Sequence, residues 1–202
     1  MKQLVFVLPL FAVLVLATTA SAQSISGTDH DLRTRLSINE ICVPCHTPHN
    51  AYPDPASTVD MVLWNHDETG EIFTPYTTLA GNTSQFDGTS KLCLSCHDGV
   101  TAVDNYGGVT GGTDFITGSA NMGTDLSNDH PIGVKYPPED SGSNPLPGYN
   151  DPATFTNVKL VTVASVDRIE CASCHDVHNN TNIPFLRRAN TGSALCLECH
   201  AK

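Results

Sequence analysis

The apolar residues of this chain fall into one dense run and many short scatterings. Leu4 to Leu16 is almost unbroken in apolar character and follows a basic start at Met1-Lys2. Its length suits the core of a secretory signal peptide and is short for a bilayer span. Ala20-Ser21-Ala22 then offers a small-residue cleavage site before Gln23. Residues 1–22 are therefore expected to be removed on export, and no later stretch is apolar enough to cross a membrane. After them, no segment keeps a 3.6-residue apolar period long enough for an extended helix. Val158 to Val166 (Val-Lys-Leu-Val-Thr-Val-Ala-Ser-Val) is rich in β-branched residues and is the one good strand signal. Turn residues punctuate the remainder, around Gly81-Asn82, Asp87-Gly88, Pro137-Pro138 and Pro145 to Gly148. Gly107 to Gly112 is Gly-rich but lacks the Lys-Ser/Thr ending of a phosphate loop, so it too reads as turns. The pattern predicts a mostly irregular, loop-rich fold with short helices and few strands.

Such a chain buries little apolar surface of its own, and the cysteines suggest what makes up the deficit. All 8 fall in four copies of one pentapeptide: Cys42-Val43-Pro44-Cys45-His46, Cys93-Leu94-Ser95-Cys96-His97, Cys171-Ala172-Ser173-Cys174-His175 and Cys196-Leu197-Glu198-Cys199-His200. Cys-x-x-Cys alone would leave zinc ribbons, redox dithiols and disulfides open. A histidine directly after every pair selects c-type haem attachment. Residues i, i+3 and i+4 share one face of a helical turn. Two thiols there can bond to the two vinyl groups of a porphyrin while the imidazole returns to the iron as proximal ligand. The expectation is four covalently bound haem c groups. Cys42, Cys45, Cys93, Cys96, Cys171, Cys174, Cys196 and Cys199 attach them, and His46, His97, His175 and His200 are the proximal ligands. The haem stack replaces an ordinary core, and the haem-free chain is not expected to fold.

Five histidines remain as distal candidates: His30, His49, His66, His130 and His178. His49 and His178 each follow a proximal histidine by three residues, within matched Cys-x-x-Cys-His-x-x-His-Asn strings. Residues three apart on a turn point the same way, which disfavours the iron of the same motif; each is a surface histidine or the distal ligand of a different haem, and the matched contexts favour the ligand. His130 precedes Pro131, which keeps its backbone extended. The chain reads as an internal duplication within a single tetrahaem domain at 23–202, with two haem pairs at about 23–110 and 111–202. Each half holds an upstream His, a motif with the x-x-His extension, then a plain motif. That symmetry selects His30, His49, His130 and His178 as distal ligands and leaves His66 spare. Within each half the x-x-His would serve the companion haem and the upstream His the haem of the extended motif.

Charge narrows the partners. Ten basic residues face 21 acidic ones, a formal −11 that becomes −12 once Lys2 is lost. That argues against nucleic acid or an anionic membrane face as partner. Eight axial histidines would leave no vacant iron, and no motif carries the Lys substitution that often marks a multihaem reductase. The chain is expected not to be an enzyme but an electron carrier, the reductase being the weaker alternative.

Several strings carry a resemblance: Cys42 to Asn50, Leu63-Trp64-Asn65-His66, Cys93 to Gly99, Asp129 to Val134, and Cys171 to Asn179 with Phe185-Leu186-Arg187. Together they resemble the doubled-CXXCH family of exported multihaem cytochromes, and within it the tetrahaem outer-surface cytochromes of metal-reducing bacteria. The resemblance implies the four attachment sites and the distal set at His30, His49, His130 and His178. It also implies an extracellular, cell-surface location and head-to-tail polymerisation of identical copies into filaments with a continuous haem chain, in which a distal His can be donated between subunits. His30, on the N-terminal arm, is the expected donor. Other redox proteins or extracellular electron acceptors would be the remaining partners. A soluble periplasmic tetrahaem carrier is the alternative.

Overall fold

The computed structural model describes residues 25–49, 51, 63–76, 84–139 and 146–201. The expected signal peptide, the Gly81-Asn82 turn and Pro145 lie outside these residues. Among the described residues no helix is long and apolar enough to cross a membrane.

Among the described residues, four short helices and three short strands are set in loops. The helices are α1 (Arg33–Leu36), α2 (Gly88–His97), α3 (Cys171–Cys174) and α4 (Cys196–Cys199), with single 3-10 turns at Gly118–Ala120, Pro152–Thr154 and Thr191–Ser193. The strands are β1 (Val134–Lys135), β2 (Val161–Val163) and β3 (Val166–Ile169). They form one antiparallel sheet in the order β1-β3-β2, with Val134 opposite Ile169 and Val161 opposite Arg168. The loop-rich expectation therefore holds.

Two local expectations are corrected. The run Val158 to Val166 is not one strand but the first arm and turn of a hairpin. Ala164 and Ser165 both adopt left-handed backbone (φ 48° and 66°), a two-residue turn whose twist matches that of the flanking strands. Thr162 Oγ1 donates across it to Asp167 Oδ1 at 2.7 Å. No glycine announces this turn, which is why the β-branched run reads straight through it. Asp87-Gly88 is likewise not a loop turn but the entry to α2. Gly88 sits at φ +61°, and a Cβ there would lie 2.8 Å from Val163 Cγ2. At its other end α2 stops after His97, where Gly99 takes φ +71°.

The polypeptide's own core is small and split. Phe73, Phe86, Leu94 and Leu126 form one cluster, with Ile132 at its edge. Val134, Tyr136 and Ile169 form the other, with Tyr149, Phe155 and Leu160 packed against it. Phe73 and Phe86 meet edge to face at 5.4 Å. This pair fixes α2 through Leu94, so Phe86→Ala is expected to cost about 3–5 kcal/mol of stability, read from denaturant unfolding of the haem-loaded protein.

Candidate haem-binding sites

Each Cys-x-x-Cys-His string is a single helical turn closed by its own backbone. The N–H of His46 donates to Cys42 O at 2.8 Å, that of His175 to Cys171 O at 3.0 Å and that of His200 to Cys196 O at 2.9 Å. The second motif makes the same turn as the end of α2. Two sulfurs and one imidazole are thereby presented from one face, as the spacing predicts.

Three of the turns share a further device that the sequence reading missed. A three-residue extended segment runs antiparallel to each histidine. Trp64 pairs with His46, Leu186 with His175 and Tyr149 with His200. Each triplet begins in the left-handed region: Leu63 (φ 49°), Phe185 (φ 56°) and Gly148 (φ 87°). Each exchanges two backbone hydrogen bonds with its motif, as when Thr47 N donates to Leu63 O and Asn65 N to Cys45 O, both at 3.0 Å. The same pair is made by Asp176 N to Phe185 O with Arg187 N to Cys174 O, and by Ala201 N to Gly148 O with Asn150 N to Cys199 O. The third residue's side chain then caps the residue after the first cysteine: Asn65 on Val43 O, Arg187 on Ala172 O and Asn150 on Leu197 O. The similar strings Leu63-Trp64-Asn65 and Phe185-Leu186-Arg187 were the available signal. The second motif has a different support, with His97 Nδ1 2.7 Å from Ala120 O and Met122 N donating to His97 O.

Two buried glutamates lock the later motifs in place. Glu170 begins α3 in a reciprocal capping box with Ser173, and its Oε2 accepts from Ser90 N of α2 at 2.9 Å. Burial pushes its carboxyl up from the usual range. Glu198 lies inside the fourth motif. Burial alone would raise it too, but the N–H groups of Thr156 and Asn157, the Asn157 amide and Arg188 all donate to it and hold it well below that range. The number of donors decides the sign.

The four turns are neighbours in chain order. Cys96, whose thiol burial pushes up to about 12, feels Cys45 next. Cys171 lies against the second motif's helix, its N–H donating to Ser90 Oγ at 3.1 Å. Cys174 feels Cys196, and Cys199 feels Cys174. None of the eight cysteines is joined to another in a disulfide. Among the described residues no three His, Cys, Asp or Glu side chains converge as a zinc site would need.

The imidazoles supply the fit test for haem. A nitrogen ligand sits about 2 Å from a first-row metal ion, so two imidazoles on opposite sides of one iron have ring centroids roughly 6 Å apart. His30 faces His97 at 6.1 Å, His46 faces His178 at 6.1 Å and His130 faces His200 at 6.4 Å. Nδ1 of His97, His130 and His175 lies 2.7–3.0 Å from a backbone carbonyl. That contact fixes the tautomer and leaves Nε2 as the ligand atom. Burial, then His97, lowers His30 to about 4, so it is neutral at pH 7. The residues fit the group.

Residues 164–202, covering the third and fourth motifs, match the family model of the doubled CXXCH motif. That stretch carries a doubled CXXCH motif. The match supports a multihaem c-type cytochrome with covalently bound haem c and a role in electron transfer. No curated protein matches the chain.

The imidazole neighbours differ from those expected within halves. His30 stands opposite His97 rather than His46, and His178 opposite His46 rather than His200, because α3 packs on α2 and carries the third motif across to the first half. His30 is consequently engaged inside its own chain, stacked on Phe185 at 4.6 Å. Among the described residues none faces His175 in this way, and His49 is exposed. His66 is buried, its Nδ1 2.7 Å from Asp67 O and its Nε2 3.4 Å from Cys96 Sγ.

Two outcomes are expected. Glu198 has a depressed pKa, so its contribution to stability is present above the unfolded value near 4.5 and is lost as pH falls below it. Acid titration of unfolding should therefore show wild type and Glu198→Gln converging as pH drops from 5 toward 2, the variant being the weaker at pH 7. His66→Gln should leave every haem low-spin in its absorbance spectrum.

Proposed function

We propose that this protein is an exported tetrahaem c-type cytochrome that conducts electrons through closely spaced bis-histidine haems. The observation that carries this reading is the set of three opposed imidazole pairs, each beside its own Cys-x-x-Cys turn. Each haem c would supply a reversible one-electron iron couple. The chain's residues do the rest. Cys42, Cys45, Cys93, Cys96, Cys171, Cys174, Cys196 and Cys199 fix the attachment points. His46, His97, His175 and His200 take the proximal positions, and His178, His30 and His130 the distal positions at the first, second and fourth motifs. Paired imidazoles leave no room for a substrate on an iron, which supports a carrier over an enzyme.

His49 is the ligand that remains for the third motif. Its exposure, and the lack of an imidazole opposite His175 among the described residues, support donation between copies of the chain. His49 thus replaces His30 as the donor in a head-to-tail contact. A contact of this kind that does not close on itself builds an open filament, in keeping with the outer-surface cytochromes that the motif strings resemble. The three pairs already closed within one chain support the second reading, a periplasmic monomer in which His49 turns inward to His175.

Electron microscopy of material sheared from expressing cells, with a haem count by absorbance, tests the proposal. Four low-spin haems per chain in filaments of one repeating subunit are expected. His49→Ala should abolish the filaments and turn one haem in four high-spin. Filaments that persist in this variant would overturn the donation, and dispersed monomers in wild type would favour the periplasmic carrier.

A further inference from the structure

Buried hydrogen-bond donors find acceptors, and an unpaired one costs about 1–3 kcal/mol. Indole N–H groups follow this rule when buried. Trp64 is the sole tryptophan of the chain, and its Nε1 is buried with no acceptor among the described residues. The ring cannot easily swing to find one. Its backbone is pinned on both sides by the Thr47–Leu63 and Asn65–Cys45 hydrogen bonds. Its face is set edge-on to His46 at 6.4 Å and tilted against His66 at 6.2 Å. His66, though its ring is near, is not within hydrogen-bond reach of Nε1.

The acceptor must then come from a group bound against Trp64 and its neighbour His46. In a haem c the pyrrole nitrogens hold the iron and the vinyl groups are consumed in thioethers. The two propionate carboxylates are the acceptors left at its edge. We propose that Trp64 Nε1–H donates a hydrogen bond to a propionate of the haem attached at Cys42 and Cys45. Trp64 is then a positioning residue that orients this haem and draws propionate charge away from its iron. A bare propionate favours the oxidised, more positive iron, so losing the donor lowers the midpoint potential of that haem.

This inference rests on the haem reading, and a haem count on the full-length exported protein separates the two. Fewer than one haem per motif counts against the haem reading, whereas four loaded haems put Trp64 alone on trial. With indole-15N label the protein gives a single indole resonance, observable in the fully reduced, diamagnetic state. The expected result is a slowly exchanging N–H with a cross-peak to propionate methylene protons. In Trp64→Phe, which keeps an aromatic ring and removes the donor, one midpoint of four should move to lower potential while three stay. Cross-peaks to water alone, or a Trp64→Phe redox titration that superimposes on wild type, would overturn the proposal. If the variant loads fewer than four haems, the wild-type cross-peak decides by itself.

Discussion

The structure depends on how a four-residue helix can be made to hold still. One turn has a single internal hydrogen bond, far too little to persist alone in water. Here it is made rigid from outside by an antiparallel triplet that takes two backbone bonds and one side-chain bond on the same turn. Leu63 and Phe185 accept a left-handed backbone to begin that triplet, a conformation that costs a residue with a Cβ of order 1 kcal/mol. Three hydrogen bonds at roughly 1 kcal/mol each outweigh that cost. The same solution at three of four motifs means that local rigidity is obtained without long helices or a large apolar core.

Carboxylates then connect these rigid turns to one another. Glu170 ties α3 to the first turn of α2, with Cys171 N donating to Ser90 Oγ beside it. Glu198 gathers residues 156–158 and Arg188 around the fourth motif. Both are buried, yet their environments act in opposite directions because one has few donors and the other many. The Glu170 contact crosses between the two halves of the chain, and the His46–His178 pair crosses in the same way. The two motif pairs are interleaved, and the contact between His178 and His46 links one attachment turn to another.

Much of this was legible in the sequence. The four pentapeptides, the lack of periodic helices and the turn-rich composition foretold short helices at the motifs within an irregular chain. Which imidazoles stand near one another was not legible, because symmetry between halves speaks only about sequence order. The crossing of α3 onto α2 is a tertiary contact made by Glu170 and Ser90, 80 residues apart, and nothing local encodes it. The hairpin at Ala164-Ser165 escaped because its turn uses neither Gly nor Asn. The triplets escaped because their third residue is Asn in two cases and Arg in one, and because the last of them, Gly148-Tyr149-Asn150, precedes its motif where the others follow.

That reversal of order bears on chain length. Trp64 lies 18 residues after His46 and Leu186 lies 11 after His175, whereas Tyr149 lies 51 before His200. Closing a flexible loop costs free energy that grows only with the logarithm of its length, so the widest of these spans exceeds the narrowest by only about 1.4 kcal/mol. The triplet's grip is therefore nearly indifferent to how far away, and from which direction, it arrives. A scaffold of this kind can lengthen its connections, or take in foreign segments between a turn and its triplet, while the sulfur and imidazole positions stay where they are.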